Sequence, residues 1–230
     1  MCGCTVTGTP TAVPVEQAMT EANLEPGASS ATAPSRLEVN VNFQSVGLPE
    51  INRDSVAKWA RDVSAGDEAT LVKKCWTVPP SYIRARYLRD RATLNSILGQ
   101  HPSPGQTGIS WGSLQSNGVL VTTAEGLSDY ACPKVFVAGE PTNPDDYVAY
   151  RVKRFVLREQ GRPVNPGDTE SSYYLRCSYE RGTITGLAAA NPNSITVTAS
   201  QSGSEWEATA GPVRLRVRAE NGEPCVVSAR

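Results

Sequence analysis

A single histidine, His101, serves all 230 residues, and it lies in the loop-like stretch "GQHPSPGQTG". Catalysis by a histidine base therefore has one weakly placed player, and zinc ligation by a cysteine and histidine set has little support. The patterns HExxH, GxxxxGK and GxGxxG are absent, as is the SHGC of L,D-transpeptidases, which removes the motif routes to zinc proteases and nucleotide enzymes. Charge of one sign is not in excess either, with 22 basic against 23 acidic residues, so nothing in the overall balance attracts nucleic acid. Nor is there a run of about 18 apolar residues to cross a bilayer or form a complete secretory signal. If the protein is exported, its signal segment lies upstream of Met1 or has been removed.

Cysteine is present in two groups. Cys2 and Cys4 open the chain, while Cys75, Cys132, Cys177 and Cys225 are spread through the body with no CxxC among them. Two disulfides are the expected use of the four body cysteines, which implies an oxidising compartment. Buried free thiols are the alternative. Four cysteines allow three pairings, and chain order favours Cys75 with Cys132 and Cys177 with Cys225.

Residues 1–35 consist largely of Thr, Pro, Ala, Ser, Glu and Gly. Such a segment buries too little apolar surface to offset its ordering entropy and reads as a disordered tether. A single domain is expected over 36–230. It starts with "RLEVNVNF", whose alternation predicts a strand. Helices follow: one capped by Asn52 and closed by Gly66, a short one capped by Asp67, and a third from Ser81 to Leu98 with Ile83, Tyr87, Leu94, Ile97 and Leu98 on its buried face. "GVLVTTA" and "CPKVFVA" read as strands. A fourth helix is marked by Asn143 as cap, Pro144 at the first helical position, Asp145 and Asp146 in the first turn, and Gly161 past its end. From Ser171 the pattern turns to strands, including "SYYLRCSYE", "SITVTAS", "SEWEATA", "PVRLRVRA" and "PCVVSA", with Asn221-Gly222 as a hairpin turn. The sum is an α+β fold with early helices packed on one face of a mainly antiparallel sheet. Helices before a curved sheet resemble NTF2-like domains, a likeness that implies a cone with an apolar pocket and no activity.

The most specific surface pattern is on the fourth helix. Tyr147, Arg151, Arg154 and Arg158 follow i, i+4, i+7, i+11 spacing and form one stripe beside the apolar arc Val148, Val152, Phe155 and Val156. Exposed, such a stripe is an anion-binding candidate for a lipid headgroup or envelope polymer. Arg214, Arg216 and Arg218 form a second row, but Glu205 and Glu207 face them if the two strands pair. Trp111, among Gly, Ser and Asn, is expected at a pocket or at the end of the sheet rather than in a packed core.

The opening "GCTVTGTPTA" resembles the start of actinobacterial, mycobacterial-type, secreted lipoproteins. The resemblance implies a lipobox with Gly3 before Cys4, cleavage between them, and diacylglyceryl attachment to the Cys4 thiol. It transfers location only: an extracytoplasmic protein anchored to the cell membrane by lipid. The expected function is a non-enzymatic envelope lipoprotein that binds a protein partner or an anionic envelope component, without nucleic acid, cofactor or metal. A carrier or enzyme with a pocket between helices and sheet, and a structural component of an envelope assembly, are the other readings.

Overall fold

In the computed structural model, residues 41–44, 51–179, 182–200 and 204–230 are described, all within the compact unit Arg36–Arg230. Cys4, the tether and residues 36–40 of the first expected strand lie outside them. Val41 and Phe43 are irregular in backbone, and both side chains pack against the first core.

The protein is α+β, with helices leading into two four-stranded antiparallel sheets rather than one. Nothing in this two-sheet arrangement confirms an NTF2-like cone. The first half begins with α1 (Arg53–Ala65), where the Asn52 side chain accepts from the Asp54 N–H and Gly66 turns left-handed at φ 69°. α2 (Glu68–Lys74) is capped by Asp67. The expected third helix is broken in two. α3 (Pro80–Tyr82) runs into a π-helical turn, Ile83–Leu88. Asp90 then leaves helical geometry and caps α4 (Arg91–Leu98), accepting from the Thr93 N–H at 2.9 Å. A cap satisfies backbone donors that would otherwise be orphaned, so Asp90 both stops one helix and starts another. All five residues expected on the buried face are buried nonetheless.

The first sheet is a meander, β1 (Ser103–Gly105), β2 (Gly108–Gly112), β3 (Gly118–Thr122) and β4 (Lys134–Phe136), with the short α5 (Thr123–Gly126) between β3 and β4. Part of the stretch expected as a loop thus supplies β1. Trp111 is fully buried in β2, against expectation. Its polar neighbours alternate to the other side of the strand, its ring meets Phe43 edge-on, and its N–H donates to the Asn42 carbonyl at 2.8 Å.

In the second half, α6 (Asp145–Glu159) lies on the meander β5 (Ile195–Ala199), β6 (Glu205–Ala210), β7 (Val213–Glu220) and β8 (Glu223–Ala229). Its cap position is Pro144 rather than Asn143. Val148, Val152, Phe155 and Val156 meet Ala208, Leu215, Val217 and Val226, the apolar contact the helix pattern implies. Between β7 and β8, Asn221 and Gly222 take φ of 52° and 79°, as a two-residue hairpin with a compatible twist requires. Glu205 and Glu207 stand opposite Arg218 and Arg216. "SYYLRCSYE" is the main exception: its described residues, 172–179, form a single bridge, Arg176 to Val226, and otherwise run irregularly beside the sheet.

Candidate functional site

Both cysteine pairs close as chain order suggested. Cys75–Cys132 ties α2 to the segment before β4, and Cys177–Cys225 ties the wrapping segment to β8. The one grouping of metal-ligand side chains among the described residues is Cys177, Glu220 and Cys225, and its two sulfurs are bonded to each other.

The exposed arginine stripe is corrected by the structure. Tyr147, Arg151, Arg154 and Arg158 do share one face of α6, but that face points inward, so they do not form an outer anion-binding surface. Arg154 is 1% exposed and Arg151 8%. The reason is that α6 is covered on two sides, by the second sheet and by the irregular segment that carries Asp168, Glu170, Tyr173 and Tyr174. Arg154 holds Asp168 with two bonds, at 3.1 and 2.8 Å, and donates to the Thr77 carbonyl at 3.1 Å. Its guanidinium also lies over Trp76 and Tyr173. Arg158 pairs with the same Asp168 and with Glu170. Burial raises the Asp168 carboxyl, but the two arginines outweigh it and hold its pKa below the usual value.

Arg151 and Tyr147 converge with residues that no sequence pattern marked. Glu223, in β8, accepts from Arg151 at 3.0 Å and the Tyr147 hydroxyl at 2.7 Å on one oxygen, and from Lys134 at 2.9 Å on the other. The Lys134 ammonium also donates to Asn143 and to the Gly222 carbonyl, at 2.6 and 2.7 Å. Arg151 completes its shell on the carbonyls of Pro224 and Tyr174. Burial pushes Glu223 up, yet Lys134 and Arg151 together hold it below its usual pKa. Burial conversely lowers Lys134, with Glu223 opposing.

These groups surround a cavity of about 270 Å³. One wall comes from α6, β8 and the wrapping segment, with Tyr147, Arg151, Arg154, Tyr173, Tyr174 and Glu223. The other comes from the first half, with Thr77, Val78, Tyr82, Leu120, Ala124 and Glu125. An adjoining recess of about 740 Å³ shares Thr77, Ala124, Glu125, Cys132 and Tyr173 with it and reaches Leu127, Asn165 and Gly167 near the surface. The site is therefore a mostly apolar and aromatic space with a few convergent polar groups, the usual composition of a small-molecule pocket.

Glu125 differs from the other acids. It is 7% exposed, and one carboxylate oxygen accepts from the Cys132 N–H at 2.8 Å. No lysine or arginine among the described residues forms an ion pair with it. Burial is the main influence and raises its carboxyl to about 7; the Cys132 N–H, the Thr77 hydroxyl and the field of Arg154 pull it back, and Glu223 pushes it up. The sequence hides this residue. Thr122-x-x-Glu125 has the form of a capping box, in which glutamate turns back to its own helix start. Here Thr122 does cap, accepting from the Glu125 N–H, but the carboxylate turns to Cys132 instead. His101 is exposed in its loop, with its ring nitrogen 3.2 Å from the Gln44 carbonyl.

Among family models, curated proteins and solved structures, none matches this chain.

Proposed function

We propose that this is an extracytoplasmic, lipid-anchored binding protein that takes a small amphipathic organic molecule into the cavity between its two halves. The observation that carries the reading is the cavity itself, whose aromatic and aliphatic walls enclose Glu125, Glu223, Lys134 and Arg151. Polar groups so placed fix the orientation of a ligand, while the apolar walls supply most of its affinity. Two disulfides, one in each half, support the oxidising location. The resemblance of the first residues to lipoproteins supports the anchor at Cys4.

The test is a screen of small amphipathic compounds by ligand-observed NMR against the wild type and Ala124→Phe. Ala124 lines both the cavity and the recess and is only partly buried, so a larger side chain there obstructs the space without breaking a packed core. Ligands that bind the wild type and lose binding in the variant support the reading. Ligands that bind both equally, or none that bind, overturn it. For the anchor, metabolic labelling with a lipid precursor should mark the wild type and not Cys4→Ala; label retained by Cys4→Ala counts against that site.

A further inference from the structure

Charge in the cavity is distributed unevenly. Arg154 and Arg158 are met by Asp168 and Glu170. Lys134 and Arg151 share Glu223. Every cation beside the cavity is thus already held by a carboxylate, and by backbone carbonyls as well. Glu125 is the acid left over. It opens onto both the cavity and the recess, with the Cys132 N–H and the Thr77 hydroxyl as its nearby donors. Arg154 acts on it through space but is fixed to Asp168 by two bonds and cannot turn to it without breaking them.

We propose that Glu125 is the recognition group for a ligand amine: the cavity binds a small aromatic or aliphatic molecule bearing a protonated amino group, which pairs with the Glu125 carboxylate. This rests on the pocket reading above and names its ligand class. A buried carboxylate without a cation is unfavourable, and a ligand ammonium supplies the missing charge along with charge-assisted hydrogen bonds. The organic part of the ligand then lies against Val78, Tyr82, Leu120 and Tyr147. An anionic ligand at the same place would meet a like charge on one wall and cations already occupied on the other.

Proton linkage follows from the same geometry. The groups facing Glu125 are Arg154 of α6, Glu223 of β8, Tyr173 of the wrapping segment and Tyr87 of the π-helical turn. Free Glu125 is about half protonated near pH 7, and an ammonium beside it favours the ionised form, so binding releases a proton. Below that pH the amine must displace the proton, and affinity falls by about tenfold per pH unit.

The experiment compares tryptamine with 3-propylindole, which replaces the amine by a methyl group, and with indole-3-acetate, each titrated calorimetrically into the full chain at pH 7 in two buffers of different ionisation enthalpy. The expected result is tryptamine binding at least about tenfold tighter than 3-propylindole, with proton release and with the preference lost in Glu125→Gln. Equal binding of tryptamine and 3-propylindole, or tighter binding of indole-3-acetate, overturns the amine proposal while the pocket reading stands. No binding by any of the three overturns the amine proposal, and the compound screen then decides the pocket reading. Should Glu125→Gln fail to fold, the wild-type pH profile decides: tryptamine affinity that does not weaken from pH 7 to pH 5 refutes the role of Glu125.

Discussion

The two halves solve the problem of burial with different materials. The first fills its core with large rings, Trp59, Tyr82, Tyr87 and Trp111, and its short helices and small sheet close around them. The second uses Ala208, Ala210, Val213 and Val217 under a single long helix, and it buries charge, with three arginines of α6 held by carboxylates. Bulky rings leave irregular space at their border, and paired charges need a fixed frame. The cavity forms where the two meet, with Lys134 of the first half committed to Glu223 of the second and Glu125 left without an ion pair among the described residues. The contrast teaches that the site is a property of the junction and belongs to neither half alone.

Removing the covalent ties has the largest expected effect. The disulfides span sequence separations of 57 and 48 residues, so each is worth about 4 kcal/mol by loop closure, and the two losses should be similar. Denaturation of Cys75→Ser/Cys132→Ser and of Cys177→Ser/Cys225→Ser checks this; a difference well above about 1 kcal/mol would break the equivalence of the halves. Intact mass after alkylation without reductant should show no label on the body cysteines.

Next in size is Arg154→Ala, which leaves Asp168 buried without its bidentate partner. Because Asp168 keeps Arg158, a loss of about 2–3 kcal/mol is expected, below the range for a fully unpaired buried charge. A loss below about 1 kcal/mol, the range of an exposed pair, would contradict the inward placement of α6.

Glu125 sharpens the comparison through pH. Its folded pKa of about 7 lies above the unfolded value of 4.5, so the folded state holds the proton more tightly. Stability is unaffected below the unfolded value, falls as pH rises between the two, and is reduced by about 3 kcal/mol above the folded one. Glu125→Gln should therefore stabilise the protein at pH 8 and change little at pH 4. Asp168 and Glu223 behave oppositely, because their lowered pKa values contribute stability that is lost as pH falls through them. Urea titrations at pH 4, 6 and 8 separate the two; a Glu125→Gln effect equal at all three would remove Glu125 as a titrating group.

The smallest effect is expected at Asp90. Its replacement by Ala should cost about 1 kcal/mol through the lost cap of α4, and no change on thermal unfolding would mean that packing alone sets that helix end.

Sequence reasoning reached the elements whose signals are local. Asn52, Asp67 and Gly66 mark helix ends by their own chemistry, and Asn221-Gly222 marks its turn. Alternation in "PVRLRVRA" gives the faces of β7, and chain order happened to give the cysteine pairing. What depended on distant partners was not legible. The stripe Arg151, Arg154, Arg158 is the same on the page whether it faces water or Asp168 and Glu223, because helical spacing specifies a shared face and not what covers it. Trp111 misled for the related reason that polar neighbours in a strand point away from it. Glu125 was missed because a lone glutamate just past a strand pattern carries no local sign of its burial or of its distance from every cation.

The order in which the chain emerges during synthesis gives the arginine contacts of α6 another meaning. β8 is the last of the described elements in chain order, yet it carries Glu223, Cys225 and the Pro224 carbonyl. Until it appears, Lys134 and Arg151 lack their shared carboxylate and Cys177 lacks its partner. The pocket is therefore finished last, by the strand that neutralises one wall and locks it in a single step. A nascent chain halted before β8 would present unpaired cations and an open thiol, two features that distinguish an unfinished molecule from a finished one.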